Sequence, residues 1–222
     1  MVDPLDVVRS LARHQLIPVV SIDRAVDSGS LAAALTEGGL PCVEITFRTS
    51  GALDAIEAMS SNLEMLVGAG TVLDRTQAAD AVRAGANFIV SPGFDPALVR
   101  FCQEAGVLVI PGIATATELQ AAVRAGLEVV KFFPAGQAGG PEMIKALSGP
   151  FPQMRFVPTG GIGEQQLADY LRLDSVLAVG GSWLAPRDAI AQRDWGAITA
   201  RVSAACAEIQ LLSNDVNSRE RP

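Results

Sequence analysis

The sequence predicts a single-domain (β/α)8, or TIM, barrel of the α/β class, and three observations carry that prediction. Short β-branched runs recur at steady intervals along the chain. Between them lie Ala-, Leu- and Glu-rich segments with helical spacing, several closed by a glycine just before the next run begins. This alternation repeats every roughly 20 to 25 residues and fills a chain of 222 residues, the length at which α/β barrels remain undivided. An open doubly wound sheet is the alternative, but no G-x-G-x-x-G opens the first helix.

Eight strands are predicted at residues 17–22, 42–47, 65–72, 88–91, 107–110, 129–133, 155–157 and 176–179. Helix ends are marked by Glu37-Gly38-Gly39, Arg83-Ala84-Gly85, Glu104-Ala105-Gly106 and Arg124-Ala125-Gly126, where glycine supplies the left-handed C-cap and restarts a strand. Ahead of the first strand, residues 4–15 read as a short amphipathic helix with Leu5, Val8, Leu11 and Ala12 on one face, placed to plug one end of the barrel. The barrel domain is predicted over residues 1–212. Residues 213–222 are polar and are expected to form an unstructured tail.

Composition narrows the function. With 49% hydrophobic and 18% charged residues the chain can bury a sizeable core. Mean hydropathy is +0.31, yet no stretch approaches the roughly 18 apolar residues that span a bilayer. Two acids precede any base in Met1-Val2-Asp3-Pro4-Leu5-Asp6, which is unlike a signal or transit peptide, so a soluble, cytoplasmic protein is expected. Cys42, Cys102 and Cys206 are far apart without a C-x-x-C pairing and read as reduced thiols. The single histidine, His14, lies outside any motif, which disfavours Ser-His-Asp catalysis and His-rich metal sites; no metal and no cofactor are expected. A net charge of −7 with no basic stripe argues against nucleic acid, and an anionic ligand would need locally placed cations.

The chemistry starts from Lys131, the one ammonium in the apolar run Val129-Val130-Lys131-Phe132-Phe133-Pro134-Ala135. A lysine removed from water must be paired or deprotonated, and a neutral amine in a dry pocket attacks carbonyl carbons. The plain alternative is a strand lysine that snorkels to solvent. Its company favours the first reading. In Val43-Glu44-Ile45-Thr46-Phe47-Arg48-Thr49 a period of two puts Glu44, Thr46 and Arg48 on one face, and a polar row on a barrel strand belongs inside, because outward residues pack under helices. The second and sixth strands stand opposite each other, and alternate strands fill each interior layer, so Glu44 and Lys131 can meet across the axis. Lys131 would then attack a keto carbon, Glu44 would move protons and Arg48 would hold a carboxylate with two hydrogen bonds while helping to depress the lysine pKa.

The strand ends supply the rest. Val67-Gly68-Ala69-Gly70-Thr71-Val72 makes room for a ligand beside the Thr71 hydroxyl, while Ser91-Pro92-Gly93 and Pro111-Gly112-Ile113 taken singly are tight turns. Pro158-Thr159-Gly160-Gly161-Ile162 and Val179-Gly180-Gly181-Ser182-Trp183 expose backbone N–H groups after the last two strands, where many barrels bind phosphate; Glu164 would repel an anion if it pointed inward.

Taken together, these strings resemble the class I 2-keto-3-deoxy-6-phosphogluconate (KDPG) and 4-hydroxy-2-oxoglutarate (KHG) aldolase family, over residues 5–210. The resemblance implies metal-free cleavage of KDPG to pyruvate and glyceraldehyde 3-phosphate in the Entner-Doudoroff pathway, by a homotrimer whose small-molecule substrate is a phosphorylated keto acid. By resemblance Lys131 is the Schiff-base lysine and Glu44 the general acid/base acting through water. Arg48, Thr71 and Pro92 fall around the pyruvate half, Thr159, Gly160, Gly161, Gly180, Gly181 and Ser182 around the distal hydroxyls and phosphate, and Phe133 is a further substrate-binding residue. Gly136 stands where many members carry an acid, and Ala114 where a serine is common; these leave the aldehyde preference open. A galactonate-derived substrate, 4-hydroxy-2-oxoglutarate, an isomerase in which the lysine only pairs with Glu44, and a noncatalytic keto-acid-binding barrel are the alternatives. Oxaloacetate decarboxylation is a possible side activity of the family.

Overall fold

The computed structural model describes residues 2–219, with side chains through residue 213. It opens with α1 (Pro4–His14) and then alternates strand and helix: β1 (Leu16–Val20), α2 (Ser28–Glu37), β2 (Cys42–Thr46), α3 (Ala52–Ser60), β3 (Leu66–Gly70), α4 (Arg75–Arg83), β4 (Phe88–Val90) and α5 (Pro96–Glu104). The second half continues with β5 (Leu108–Ile110), β6 (Gly112–Ile113), α6 (Ala116–Arg124), β7 (Val129–Phe132), α7 (Gly140–Ser148), β8 (Arg155–Pro158), α8 (Leu167–Leu171), β9 (Val179–Gly181), α9 (Arg187–Gln192) and α10 (Trp195–Arg219).

Every named strand pair is parallel. The strands form a six-stranded sheet in the order β5-β4-β3-β2-β1-β9 and a three-stranded sheet in the order β6-β7-β8. The expected fifth strand, 107–110, forms as β5, and a two-residue strand, β6, follows it where a tight turn was expected. Pro111 divides them because it has no N–H to give a ladder, although its carbonyl still accepts from Lys131 N at 2.9 Å. Between β8 and the last strand, single bridges join Phe156 to Val176 and Thr159 to Gly180. The eighth predicted strand, residues 176–179, is thus shifted: Val176 makes only a bridge and the ladder runs at β9. β1, β2 and β3 are buried at all five positions, as parallel strands covered on both faces must be.

The glycine-ended helices form as expected. Gly39, Gly85, Gly106 and Gly126 all have positive φ. The next residue in each case sends its N–H back five positions, as in Leu40 to Leu35 and Val107 to Cys102, which satisfies a carbonyl the helix leaves open. Helix starts are also written locally: the Asp74 side chain accepts from Gln77 N, Asp95 precedes a proline at the first helical position, and Thr115 and Glu118 form a reciprocal capping box.

Helix α1 buries Val7 and Leu11, whereas Leu5 is 58% exposed and Val8 and Ala12 are half-buried, so its inward stripe is rotated from the one expected. Pro4, Leu5 and Val8 face a cavity of about 290 Å³ with Val107, Leu108 and Val129, at the starts of β5 and β7. The helix therefore lies at the N-terminal end of those strands, away from the loops that follow them. At the C-terminus, α10 runs through Arg219, so residues 213–219 continue a helix where an unstructured tail was expected; residues 220–222 lie outside the described residues. Thr199 donates to the Ala34 carbonyl and Val202 fills the space beside Gly38, seating α10 on α2. Among the described residues no helix is long and apolar enough to cross a membrane.

Candidate active site

Glu44 on β2 and Lys131 on β7 come together across 87 residues of sequence: Lys131 Nζ donates to Glu44 Oε1 at 3.3 Å. Their side chains are 2% and 6% exposed, respectively, and among the described residues this is the one ion pair whose members are both buried. The snorkelling alternative is thereby excluded. Lys131 Nζ also sits 5.4 Å from the centroid of the Phe133 ring, which covers the amine with an apolar but electron-rich face.

Room for the carboxylate is made by β3. A Cβ on Gly70 would lie 2.1 Å from Glu44 Oε1, so the glutamate occupies the space a side chain would fill. Gly68, two residues earlier on the same face, gives the same kind of room to the Phe88 ring. The spacing Gly68-Ala69-Gly70 is thus a cradle for two large neighbours. Thr46, the next inward residue of β2, is fully buried; its hydroxyl donates to Val20 O at 2.9 Å and pairs with the Ser21 hydroxyl at 2.8 Å. This pins the end of β2 to the end of β1.

Arg48 departs from the expected row. β2 ends at Thr46, Arg48 N turns back to Thr46 O at 2.8 Å, and the period of two lapses there, leaving Arg48 exposed. Its guanidinium joins no ion pair among the described residues, including none with Glu44. It lies instead at the rim, in a cavity of about 450 Å³ shared with Ser21, Thr49, Ser182, Trp183 and Arg187.

The other expected residues sit at the strand ends. Thr71 follows β3 with φ +57°, a left-handed conformation rare for a β-branched residue, and Val72 N then bonds to Val90 O. Pro92 follows β4 in a turn held by Ser91 Oγ donating to Gly93 O at 2.8 Å, and its carbonyl packs where a Cβ on Gly112 would be. Thr159 is 6% exposed, bridges to Gly180, and fills the space a Gly180 side chain would need. Gly160 and Gly161 both have positive φ; Gly160 lies against the Phe133 ring and Gly161 under the Gln137 amide. Ser182 is exposed and Glu164 points to solvent, so no carboxylate from that turn crowds the glycines.

The position that departs from the family string has a geometric role. A Cβ at Gly136 would meet Gly161 O at 2.7 Å, and Gly136 N donates to Gly160 O at 2.9 Å. The turn after β7 is thereby laid directly onto the turn after β8. Ala114 N donates to the Glu118 carboxylate, which fixes the turn after β6 through backbone and does not call for a serine hydroxyl.

The thiols are not candidates for catalysis. Burial pushes the Cys102 thiol up to about 12 and the Cys42 thiol higher still, with the Glu44 charge adding to the latter. Among the described residues no three His, Cys, Asp or Glu side chains gather as a metal site.

The family model for KDPG and KHG aldolases matches residues 7–201. The chain belongs to the KDPG and KHG aldolase family. A 2-dehydro-3-deoxy-phosphogluconate aldolase from Treponema pallidum is 48% identical over 197 residues, spanning 88% of this chain and 94% of that protein. The KHG/KDPG aldolase of Escherichia coli K12 is 44% identical, over 85% of this chain and 89% of its own. Among solved structures, the KDPG aldolase of Legionella pneumophila superposes with a TM-score of 0.86 at 41% identity, covering 90% of this chain and 97% of that one; it holds pyruvate captured at low pH as a covalent carbinolamine.

Sequence reading missed three residues of the rim. Ser21 ends a strand with no motif, Arg187 lies in a helix start that reads as plain surface, and Trp183 was part of a string valued for its glycines. The Trp183 indole nitrogen is buried without a hydrogen-bond partner among the described residues, a feature only the folded chain reveals.

Proposed function

We propose that this protein is a class I aldolase that cleaves 2-keto-3-deoxy-6-phosphogluconate into pyruvate and glyceraldehyde 3-phosphate, and that it does so through an imine on Lys131. The observation that carries this reading is the buried Lys131–Glu44 pair at 3.3 Å, which places a nucleophilic nitrogen and a proton carrier within one hydrogen bond of each other.

In this mechanism Lys131 Nζ attacks the C2 carbonyl, giving a carbinolamine that loses water to an iminium. Glu44 accepts the C4 hydroxyl proton, directly or through one water. The C3–C4 bond breaks, its electron pair moves into the enamine, and glyceraldehyde 3-phosphate leaves. Glu44 then returns a proton to C3, and water attacks the iminium to release pyruvate and the free amine. The imine is the electron sink, so the chemistry asks for no cofactor. Arg48 at the rim serves the keto-acid carboxylate, Thr71 and Pro92 border the pyruvate half with Phe133 over the amine, and Thr159, Gly160, Gly161, Gly180, Gly181 and Ser182 take the hydroxyls and phosphate.

The same reading closes the strands into a (β/α)8 barrel. Its support is the single-residue break at Pro111 between the sheets and the two bridges from β8 toward β9. It also makes the enzyme a homotrimer in the cytoplasm, an assembly that light scattering would refute by giving a monomer or dimer mass. The test of the chemistry is reduction with borohydride in the presence of pyruvate. A 1-carboxyethyl group should appear on Lys131 by peptide mass mapping, and Lys131→Ala should lose both the label and cleavage. A label on Lys145 instead would overturn the assignment.

A further inference from the structure

The substrate proposed above has an anionic group at each end, and a protein of net charge −7 must offer cations locally to hold it. The rim cavity beyond β1, β2 and β9 has two among its lining residues, Arg48 and Arg187. Arg48 lies two residues past the end of β2, the strand that carries Glu44, and in the reading above it serves the keto-acid carboxylate. Arg187 comes from the other flank: it lies five residues beyond Ser182, in the segment that leaves the Gly180-Gly181 pair.

Arg187 is held at the cavity by Asp23, which follows β1. The pair is two-pronged, with Nη2 donating to Oδ1 at 2.9 Å and Nε to Oδ2 at 3.1 Å. Both side chains are exposed, 68% and 49%, so the pair is screened by water and its fork is free to exchange partners. Phosphate offers the same two-oxygen geometry with more negative charge. Trp183, on the same wall, has an indole N–H that is buried and lacks an acceptor among the described residues.

Resting on the aldolase reading, we infer that Arg187 is the specificity-determining residue for the phosphate end of the substrate. It leaves Asp23 for the phosphate when a phosphorylated keto acid binds, and the Asp23–Arg187 exchange sets the preference for phosphorylated over unphosphorylated keto acids.

Arg187→Gln and Asp23→Asn, made in the full chain, test this on two substrates, 2-keto-3-deoxy-6-phosphogluconate and the phosphate-free 4-hydroxy-2-oxoglutarate. Arg187→Gln should lower the ratio of kcat/KM between them by about tenfold, mainly through KM of the phosphorylated substrate, as loss of one charge-assisted contact implies. Asp23→Asn should move the ratio roughly two- to fivefold in the opposite direction, because it frees the guanidinium. A calorimetric titration with 3-phosphoglycerate should show weaker binding in the first variant and tighter binding in the second. If both variants shift both substrates alike and in the same direction, the pair is a structural brace and the inference is wrong. If the borohydride label on Lys131 fails to form, the aldolase reading falls by itself, and the 3-phosphoglycerate titration still judges Arg187. A label that forms normally, with ratio and affinity within twofold of wild type in Arg187→Gln, removes the inference alone.

Discussion

Gly70→Ala is the smallest change that should disable the site without touching either reacting residue. A Cβ there would lie 2.1 Å from Glu44 Oε1, 2.6 Å from its Cγ and 2.7 Å from its Cδ, against 3.4 Å for ordinary contact, so the carboxylate must retreat by about 1.3 Å. The glutamate is enclosed at 1% exposure and already within 3.3 Å of Lys131, which leaves it little space in which to retreat without losing that hydrogen bond. Misplacement by about 1 Å of a group that must meet a reacting atom costs on the order of 10²-fold in rate. Stability should change less. The alanine narrows the unfolded ensemble and gains about 0.4–1 kcal/mol, but overpacking a tight interior costs about 1–3 kcal/mol, so the clash prevails by about 1–2 kcal/mol. Gly68→Ala is the control: its Cβ would meet the Phe88 ring at 2.2 Å, an overpacking of the same kind directed at core rather than at the carboxylate. Steady-state cleavage by coupled assay, with thermal unfolding of both variants, separates the two effects. A folded Gly70→Ala enzyme turning over within threefold of wild type, or a Gly68→Ala enzyme equally impaired, would refute the reasoning that Gly70 exists to seat Glu44.

Three further outcomes are expected. Glu44→Gln keeps the shape but removes the proton carrier, so cleavage should fall by about 10²- to 10⁴-fold while pyruvate still labels Lys131 more slowly under borohydride; unchanged turnover would remove Glu44 from the mechanism. Gly181→Val places a side chain 2.6 Å from Trp183 Nε1, so it should displace the indole and raise KM for the phosphorylated substrate by about tenfold. Pyruvate trapping should persist in that variant, and equal damage to both would contradict the division of the site into two ends. Glu118 accepts hydrogen bonds from Ala114 N, Thr115 N and the Thr115 hydroxyl, and these hold its carboxyl below the usual carboxylate range, the Ala114 bond first. A depressed folded-state pKa stabilises above the unfolded value and the benefit is lost as pH falls through the folded one. The Tm advantage of wild type over Glu118→Gln should therefore be full at pH 7 and shrink as pH falls below the ordinary glutamate range; an advantage that grows on acidification would reverse the assignment.

Much of the architecture was legible because it is local. A left-handed glycine at a helix end announces itself within six residues, and Gly39, Gly85, Gly106 and Gly126 behave as read. Thr115 and Glu118 needed only three positions to form their capping box. Lys131 stood out because an ammonium inside an apolar strand must be accounted for whatever the fold, and the period of two carried Glu44 and Thr46 to the interior. The same period failed one step later at Arg48, where the strand had already ended; periodicity holds only while the backbone stays extended, and nothing in the string marks where it stops.

What the sequence by itself determined, then, was the alternation of elements, the inward row of β2, the buried lysine and, through its ordered strings, the family. Tertiary structure decided the rest. The 3.3 Å approach of Lys131 to Glu44 joins two strands in different sheets, and the Asp23–Arg187 pair joins residues 164 positions apart. The hollow over Gly70 exists only because β2 and β3 pair with Thr46 beside Gly70, which lays the Glu44 side chain over the glycine. The turn read at Pro111-Gly112-Ile113 also pairs, as β6 against β7, and Pro111 separates it from β5, since a missing N–H matters only when a neighbouring carbonyl is there to need it. Propensity and periodicity act over one turn or one strand, whereas register and the closing of long loops are set by which arrangement buries both faces of every strand at once.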